Sequence, residues 1–392
     1  MGEMHEAAPA PTTSGERHNF VDALRGVALL GILIVNIEFI VAHGDIGWMD
    51  RDEPIDLIVR WASGTFALLK IYPLFALLYG YGLSLQVNKA TELGEDLSGR
   101  YRRRMLGLAL LGIIHGVFFF PGDILVIYAI VGVIAFRSRH LETEQLLRRA
   151  KWLYGIATVI WLVLGVLGGI GGFEVVPFVD PNELSTLASG SWIEINSIQR
   201  VAFIETFFGL LLFQGPPALA SVYAGTALGR TDMLSKPTAH VDLAKRALRW
   251  APLGFLVAGF ASWLLLLGGA WFGLGIALAL ASAPIVSASY IAILSLTIGG
   301  KSTALGSTLQ MSGRMSLTNY LFQSVIASTI AFGYGFGQFN QIGPLGGIVL
   351  AVVIWLVLSG FSMLWMQNFR FGPLEWLLRS WTYRSRQPLR RA

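Results

Sequence analysis

Residues 111–128 read LGIIHGVFFFPGDILVIY. An apolar run carries His115, stops at Pro121-Gly122, and resumes after Asp123 as a second apolar run. Proline has no N–H and fixes its own φ, so the pair is expected to close a helical hairpin. The other five histidines (His5, His18, His43, His140 and His240) sit in polar or interfacial sequence. An ionisable group inside hydrocarbon is costly unless it meets a partner or a wet cavity, which makes His115 a functional-site candidate. The plainer alternative is a histidine that only hydrogen-bonds a neighbouring helix.

The chain around this hairpin is strongly apolar. Of its 392 residues 54% are hydrophobic and 14% charged, against about a quarter charged in soluble domains. Apolar runs near the ~20 residues needed to cross a bilayer fall at 20–41, 70–87, 105–120, 124–136, 153–171, 201–229, 251–270, 272–298, 317–333 and 345–366. The expected fold is therefore all-α, a polytopic transmembrane helix bundle of about ten spans. Residues 56–69 are amphipathic, as an interfacial helix or a tilted start to the second span would be.

Positive residues gather in alternate connections: Arg100 and Arg102 to Arg104, then Arg137 to Lys151, then Arg230 to Arg249, then Lys301 and Arg314. The intervening connections are acidic or uncharged, so both termini are expected to be cytoplasmic. The net charge of +5 is explained by this loop asymmetry, and no nucleic-acid motif accompanies it. Residues 1–17 are expected as a disordered cytoplasmic tail, 18–383 as one transmembrane domain, and 384–392 as a basic cytoplasmic tail. The first span, with no cleaved signal before it, is expected to direct insertion.

Absence of cysteine removes disulfides, thiolate nucleophiles and cysteine-based metal centres. No P-loop, GxSxG, HExxH or EF-hand pattern occurs. Neither a metal nor a tightly bound cofactor is expected.

The two spans meeting at Pro121-Gly122 are short, ~24 Å and ~20 Å against ~30 Å of hydrocarbon. His115 and Asp123 are therefore expected to line a recess open to the outer side. Histidine serves as a general base near neutral pH, and a carboxylate can orient it. Asp123 can equally cap the returning helix, and one carboxyl can do both.

Four further groups of polar residues stand out. Asp22 and Arg25 share one face of the first span, where they can neutralise each other, and Asn36 lies towards its other end. Lys70 opens the second span and can snorkel, or bind a phosphate or carboxylate. Glu205 is a further intramembrane carboxylate, expected as a packing partner. Ser316, Asn319, Tyr320 and Gln323 recur at helical spacing, which suits interhelical hydrogen bonds or a pocket for a polar ligand head completed by Arg25, Arg314, Glu375 and Arg379.

Six stretches together carry a family resemblance: DALRGVALLGILIVNI (22–37), KIYPLFALLYGYGLSLQ (70–86), LLGIIHGVFFFPGDILVIYAIVG (110–132), VYAGTALGR (222–230), GRMSLTNYLFQSVI (313–326) and FGPLEWLLRSWTY (371–383). In these the sequence resembles the DUF418/YeiB family of bacterial integral membrane proteins. Through its first span that family is similar to a transmembrane acyltransferase group that includes heparan-α-glucosaminide N-acetyltransferase-like and acyltransferase-3 proteins. The resemblance implies a multi-pass protein of the cell inner membrane that moves an acyl group from a cytoplasmic thioester, with acyl-CoA as co-substrate, to an acceptor on the outer side. Acyltransferase-3 proteins have a histidine where this chain has Asn36. The general base is then His115, or His43 by analogy with the lysosomal enzyme, and His115 is preferred because His43 lies in a hydrophilic loop.

On this reading His115 and Asp123 form the catalytic pair, and Asn36 and Lys70 stabilise developing negative charge. Asp22, Arg25, His43, Arg314, Asn319, Tyr320, Gln323, Glu375 and Arg379 contact substrate. The rival reading is a transporter or exporter of a lipid or small molecule using the same polar residues, and a third is an interaction partner without chemistry. Expected partners are membrane lipids, a small-molecule or lipid substrate and, through glycine-rich spans, a second copy in a homodimer.

Overall fold

The computed structural model describes residues 19–42, 53–171, 183–301 and 303–391. His43 and the expected tail at 1–17 lie outside them. Helix α1 (Asn19–Val41) is followed by α2 (Pro54–Phe66), α3 (Ile71–Glu92), α4 (Ser98–Phe118), α5 (Leu125–Arg137), α6 (Thr143–Gly171) and α7 (Leu184–Ser189). Then come α8 (Trp192–Leu228), α9 (Val241–Leu267), α10 (Phe272–Thr297), α11 (Ala304–Arg314), α12 (Ser316–Ala331), α13 (Pro344–Asn368) and α14 (Pro373–Tyr383). No strand occurs among the described residues; the bundle is all-α.

Among the described residues seven helices, or helices run together, are long and apolar enough to cross a membrane. They correspond to α1, α2 with α3, α6, α8, α9, α10 and α13. The other three expected spans fall short for separate reasons. Helix α4 begins with Arg100 and Arg102 to Arg104. Helices α5 and α12 have only 13 and 16 residues, a rise of ~20 and ~24 Å.

Helix α1 is the axis of the bundle, with α3, α11, α12 and α13 packed around it. Between Arg25 and Asn36 it is apolar all round, and Leu24, Leu29, Leu33 and Ile37 are all at most 1% exposed. A helix hydrophobic all round belongs in an interior. At its crossing with α11, a Cβ on Gly26 would lie 2.2 Å from the Leu309 carbonyl oxygen, and one on Gly313 1.8 Å from that of Asp22. Only glycine permits so close an approach. Helix α6 is the opposite case: Trp152, Val159, Leu164 and Leu167 are exposed, an apolar face that suits lipid.

The amphipathic segment is a separate helix, α2, joined to α3 by a sharp break. Leu69 there adopts φ +61°, a conformation L side chains rarely take. The break buries the Lys70 side chain completely. The basic C-terminal segment packs back on the end of α13: Arg370 N donates to the Leu389 carbonyl at 2.8 Å and Arg391 N to that of Asn368 at 2.9 Å.

Candidate functional site

Helix α4 ends where the Phe119 and Phe120 amides both donate to the His115 carbonyl, at 2.9 and 3.0 Å. Pro121-Gly122 then turns the chain, and Asp123 precedes α5. Its Oδ1 accepts the Leu125 and Val126 amides at 2.8 and 3.2 Å, taking up donors that the helix start leaves open. Its Oδ2 lies 2.7 Å from His115 Nδ1 and accepts the Tyr320 hydroxyl at 3.4 Å. Asp123 is thus bound to both the helix start and the imidazole. A carboxylate oxygen can only accept, so an ionised Asp123 takes its hydrogen bond from Nδ1–H. His115 Nε2 is buried and has no hydrogen-bond partner among the described residues.

Two cavities flank this hairpin. One, of about 490 Å³, is lined by Asp22, Arg25, Lys89, Glu95, Arg100, Arg104, Arg314, Tyr320, Arg370, Glu375 and Arg379 among others. Seven of its lining side chains are cationic and three acidic. The second, of about 710 Å³, is mainly apolar and is lined at its polar points by Asn36, Glu38, Arg60, Gln199 and Gln214. Along α1 the nearest lining residues of the two cavities, Arg25 and Ile32, are ~10 Å apart at 1.5 Å per residue. Ile124 is the one described residue that lines both.

Phe120, Pro121 and Gly122 line the apolar cavity, as a recess at the hairpin tip requires. His115 and Asp123 do not line it; each is 1% exposed. The Asp123 carboxyl turns back to His115 on α4. The pair is one layer behind the wall, which corrects the expectation of an open recess lined by both.

The remaining candidates divide between the cavities and the packing. In the basic cavity Asp22 binds Arg25 at 2.9 Å and Arg314 at 3.6 Å. Glu375 also lines it, but Oε1 accepts the Leu317 and Thr318 amides at 2.6 and 3.1 Å, so this carboxyl caps α12 from α14. Burial pushes the Glu375 carboxyl above the usual glutamate range, against the hydrogen bonds from Thr318 and Leu317. Arg379 stacks over the Phe371 and Tyr383 rings at 4.9 and 5.0 Å.

Asn319 and Gln323 are corrected from ligand contacts to packing groups. Asn319 Nδ2 donates to the Ser312 carbonyl at 3.0 Å and the Ser362 hydroxyl at 2.9 Å, while Gln323 Nε2 donates to the Leu29 carbonyl at 3.3 Å. The stripe on α12 faces α1, α11 and α13, and only Ser316 and Tyr320 reach the cavity. Lys70 does not snorkel; its ammonium donates to the Gly64 carbonyl at 2.7 Å, and it lines neither cavity. Asn36 faces the apolar cavity. Glu205 is on an exposed face of α8 and packs no neighbour in the interior.

Arg100, Arg104 and Arg370 are cavity residues that reading by charge alone counts only as loop residues of a positive-inside protein. For Arg100 and Arg104 the signal was the arginine cluster just before the hairpin; Arg370, after α13, is brought in by the fold alone. Among the described residues no group of three or more histidine, aspartate or glutamate side chains is placed to hold a metal.

Residues 228–385 match a family model described as "Protein of unknown function (DUF418)". That segment holds Tyr320, Glu375 and Arg379, while the hairpin precedes it. Along nearly its whole length the chain is similar to the uncharacterized protein YeiB of Escherichia coli (strain K12), 29% identical over 95% of this chain and 98% of that one. It is similar as well to the uncharacterized protein YxaH of Bacillus subtilis (strain 168), 27% identical over 97% of each. An uncharacterized 39.9 kDa protein from the amylase 3′ region of Bacillus acidopullulyticus is 28% identical over 97% of each. Part of the chain is thus similar to the DUF418 family and nearly its whole length to YeiB and YxaH, and among the described residues seven apolar helices are long enough to span a bilayer.

Proposed function

We propose that the protein transfers an acyl group between the two cavities, with His115 as general base. The observation that carries this reading is the buried His115–Asp123 pair, with Nε2 unpartnered, inside a wall between a basic and an apolar cavity. A structural histidine would have both ring nitrogens bonded. The basic cavity suits the phosphate-bearing head of a cytoplasmic thioester such as acyl-CoA, by charge and by arginine's fork geometry. Positive-inside logic turns that cavity to the cytoplasm of a bacterial inner membrane.

In this scheme His115 Nε2 takes the proton of an acceptor hydroxyl or amine, and Asp123 stabilises the resulting imidazolium. The acceptor oxygen or nitrogen attacks the thioester carbonyl carbon; the C–S bond breaks, and the departing thiolate receives the proton from the imidazolium. Asn36 is the wall residue suited to the developing oxyanion. Lys70 has no part, because its ammonium is held on Gly64. Ile124 is the side chain that must yield for the two substrates to meet.

The test is release of free CoA thiol from acetyl-CoA by protein reconstituted with a lipid extract as acceptor. His115→Ala and His115→Gln are expected to lower the rate by about 10²–10⁴-fold without loss of monodisperse protein. Transfer at the wild-type rate in a folded His115→Ala protein removes the central residue and the reading with it.

A second reading is favoured by one feature, two cavities that share a lining residue, Ile124. Export of a lipid or small molecule would use Ile124 as the closed point of a path and His115–Asp123 as a proton relay. Uptake or efflux driven by a pH gradient, with no thiol released, would select it.

A further inference from the structure

Glu205 is a carboxylate on the outward side of a membrane helix. Helix α8 packs against α3, α6, α5 and α4, and its Ala202, Phe203 and Thr206 are buried among them. Glu205 is exposed and has no hydrogen-bond or ion-pair partner among the described residues. Around it Val201, Ile204, Phe208 and Leu212 are all more than half exposed. An apolar face of this kind is at home in lipid; a carboxyl in the middle of it is not.

Two contacts fix its depth. A Cβ on Gly116 would lie 2.2 Å from the Phe203 ring, and Gly116 is ~18 Å along α4 from Arg104 at 1.5 Å per residue. The Phe213 ring meets that of Trp161 at 4.3 Å, and Trp161 is ~15 Å along α6 from Lys151 on the same rise. Glu205 is between Phe203 and Phe213, so both registers, each taken from cationic residues at the cytoplasmic end, put it inside the ~30 Å of hydrocarbon.

The spacing on α8 supplies the occupant. Val201, Glu205, Phe208 and Leu212 are separated by four, three and four residues, the alternation of a left-handed helix–helix seam. A single polar residue at an inner position of such a seam sets register and partner number. An unrelated helix would have to bring a donor to this depth, whereas a second copy in the same membrane brings one by symmetry. Across a two-fold along the membrane normal the same residue faces itself, and two carboxyls that share one proton serve each other as donor and acceptor. A Cβ on Gly209 would meet nothing within 4 Å, so the second helix can come close there.

We infer that α8 is the interface of a homodimer, with the two Glu205 side chains paired across the two-fold and Val201, Phe208 and Leu212 packed along the same seam. This interface is independent of the chemistry proposed at the hairpin.

The chain has no cysteine, so single cysteines placed in the full-length protein in liposomes report the seam directly. Val201→Cys, Phe208→Cys and Leu212→Cys are expected to cross-link under mild oxidation, since a disulfide needs Cα atoms within about 7 Å. Val159→Cys, on the exposed face of α6, is expected to stay uncoupled. Energy transfer between labelled copies, titrated against protein density in the bilayer, is expected to show Glu205→Leu associating about three- to twentyfold more weakly than wild type, the range of one interhelical hydrogen bond. Glu205→Gln is expected to associate as wild type does, because an amide also donates and accepts; that rescue separates a lost pair from a damaged fold. A wild-type protein that is monomeric at every density, leaving Glu205 to the helix of another protein or to the headgroup layer, overturns the inference. So does Glu205→Leu dimerising as strongly as wild type, or cross-linking through α6 in place of α8.

Discussion

A Cβ added to Gly112 would lie 2.7 Å from Asp123 Oδ1 and 2.9 Å from the Val126 amide nitrogen. The two residues are on opposite arms of the hairpin, and the absence of a side chain on one fixes the carboxyl of the other. Oδ1 is the oxygen that holds the start of α5, so displacing it disturbs the helix start and the imidazole bond together. Gly112→Ala is expected to cost about 1–3 kcal/mol as an overpacking change, read as a lowered Tm, and to reduce transfer although neither hydrogen-bonding group has been altered. A Gly112→Ala protein with unchanged Tm and rate would show that the hairpin arms can separate freely.

Asp123 and His115 should behave as one unit. Asp123→Asn keeps the shape, but its amide can accept only through one oxygen and frees the imidazole to take the other tautomer, with an expected loss of about 10²–10⁴-fold in rate. Residues that act together are grossly non-additive. The double variant His115→Gln/Asp123→Asn is therefore expected to be no slower than His115→Gln alone. Multiplying losses in a double-mutant cycle would separate the two roles.

How far this site can be read from sequence depends on how local each part is. His115 and Asp123 are eight residues apart across a Pro-Gly turn, so spacing alone suggested their meeting, and long apolar runs such as 20–41 announced themselves by composition. The basic cavity is different, since Asp22, Arg104, Arg314 and Arg379 come from α1, α4, α11 and α14, whose adjacency no spacing encodes. Periodicity marked the polar face of α12 but not what lay opposite it, and for Asn319 and Gln323 that was another helix. Lys70 looked like a snorkelling residue because a sequence does not show a break at Leu69 turning its side chain inward.

Arginines in the basic cavity differ in their commitments, which makes their contributions separable. Arg25 and Arg314 are tied to Asp22, whereas Arg104 and Arg379 have no carboxylate at ion-pair distance among the described residues. Arg104→Gln and Arg379→Gln are each expected to weaken binding of free CoA about tenfold, as loss of a charge-assisted contact does. The wild-type affinity should fall with added salt, and less steeply in either variant. Calorimetry across a salt series checks both; salt-independent binding would place the ligand elsewhere.

Glu375 gives the end of the bundle at α14 a pH dependence with a definite sign. Burial holds its carboxyl above the ordinary value of 4.5, so the folded state keeps the proton longer than the unfolded one. Its contribution to stability is fullest below the unfolded value and declines as pH rises through the folded one. Glu375→Gln retains an oxygen for the Leu317 and Thr318 amides but cannot titrate. Thermal unfolding measured at a series of pH values is expected to show a flatter profile above 4.5 in the variant, and an unchanged slope would assign the pH dependence to another group.

Asn319 separates packing from ligand binding on a single helix. Its side chain joins α12 to α11 and α13 through Ser312 and Ser362, whereas Tyr320, one residue on, lines the basic cavity and reaches Asp123. Interhelical hydrogen bonds in membrane proteins average about 0.6 kcal/mol and reach about 1.7. Three donor contacts and one acceptor contact, all buried, place Asn319→Ala towards the upper value. Its expected signature is a lower Tm with unchanged affinity for free CoA. Tyr320→Phe removes a hydroxyl that donates to Asp123 Oδ2 and accepts the Ile124 amide, each at 3.4 Å, so it should lower Tm less than Asn319→Ala but should change the rate of transfer. If the two variants exchange these signatures, with Asn319→Ala altering affinity and Tyr320→Phe altering stability, then α12 is rotated relative to the cavity and the polar stripe faces the ligand after all.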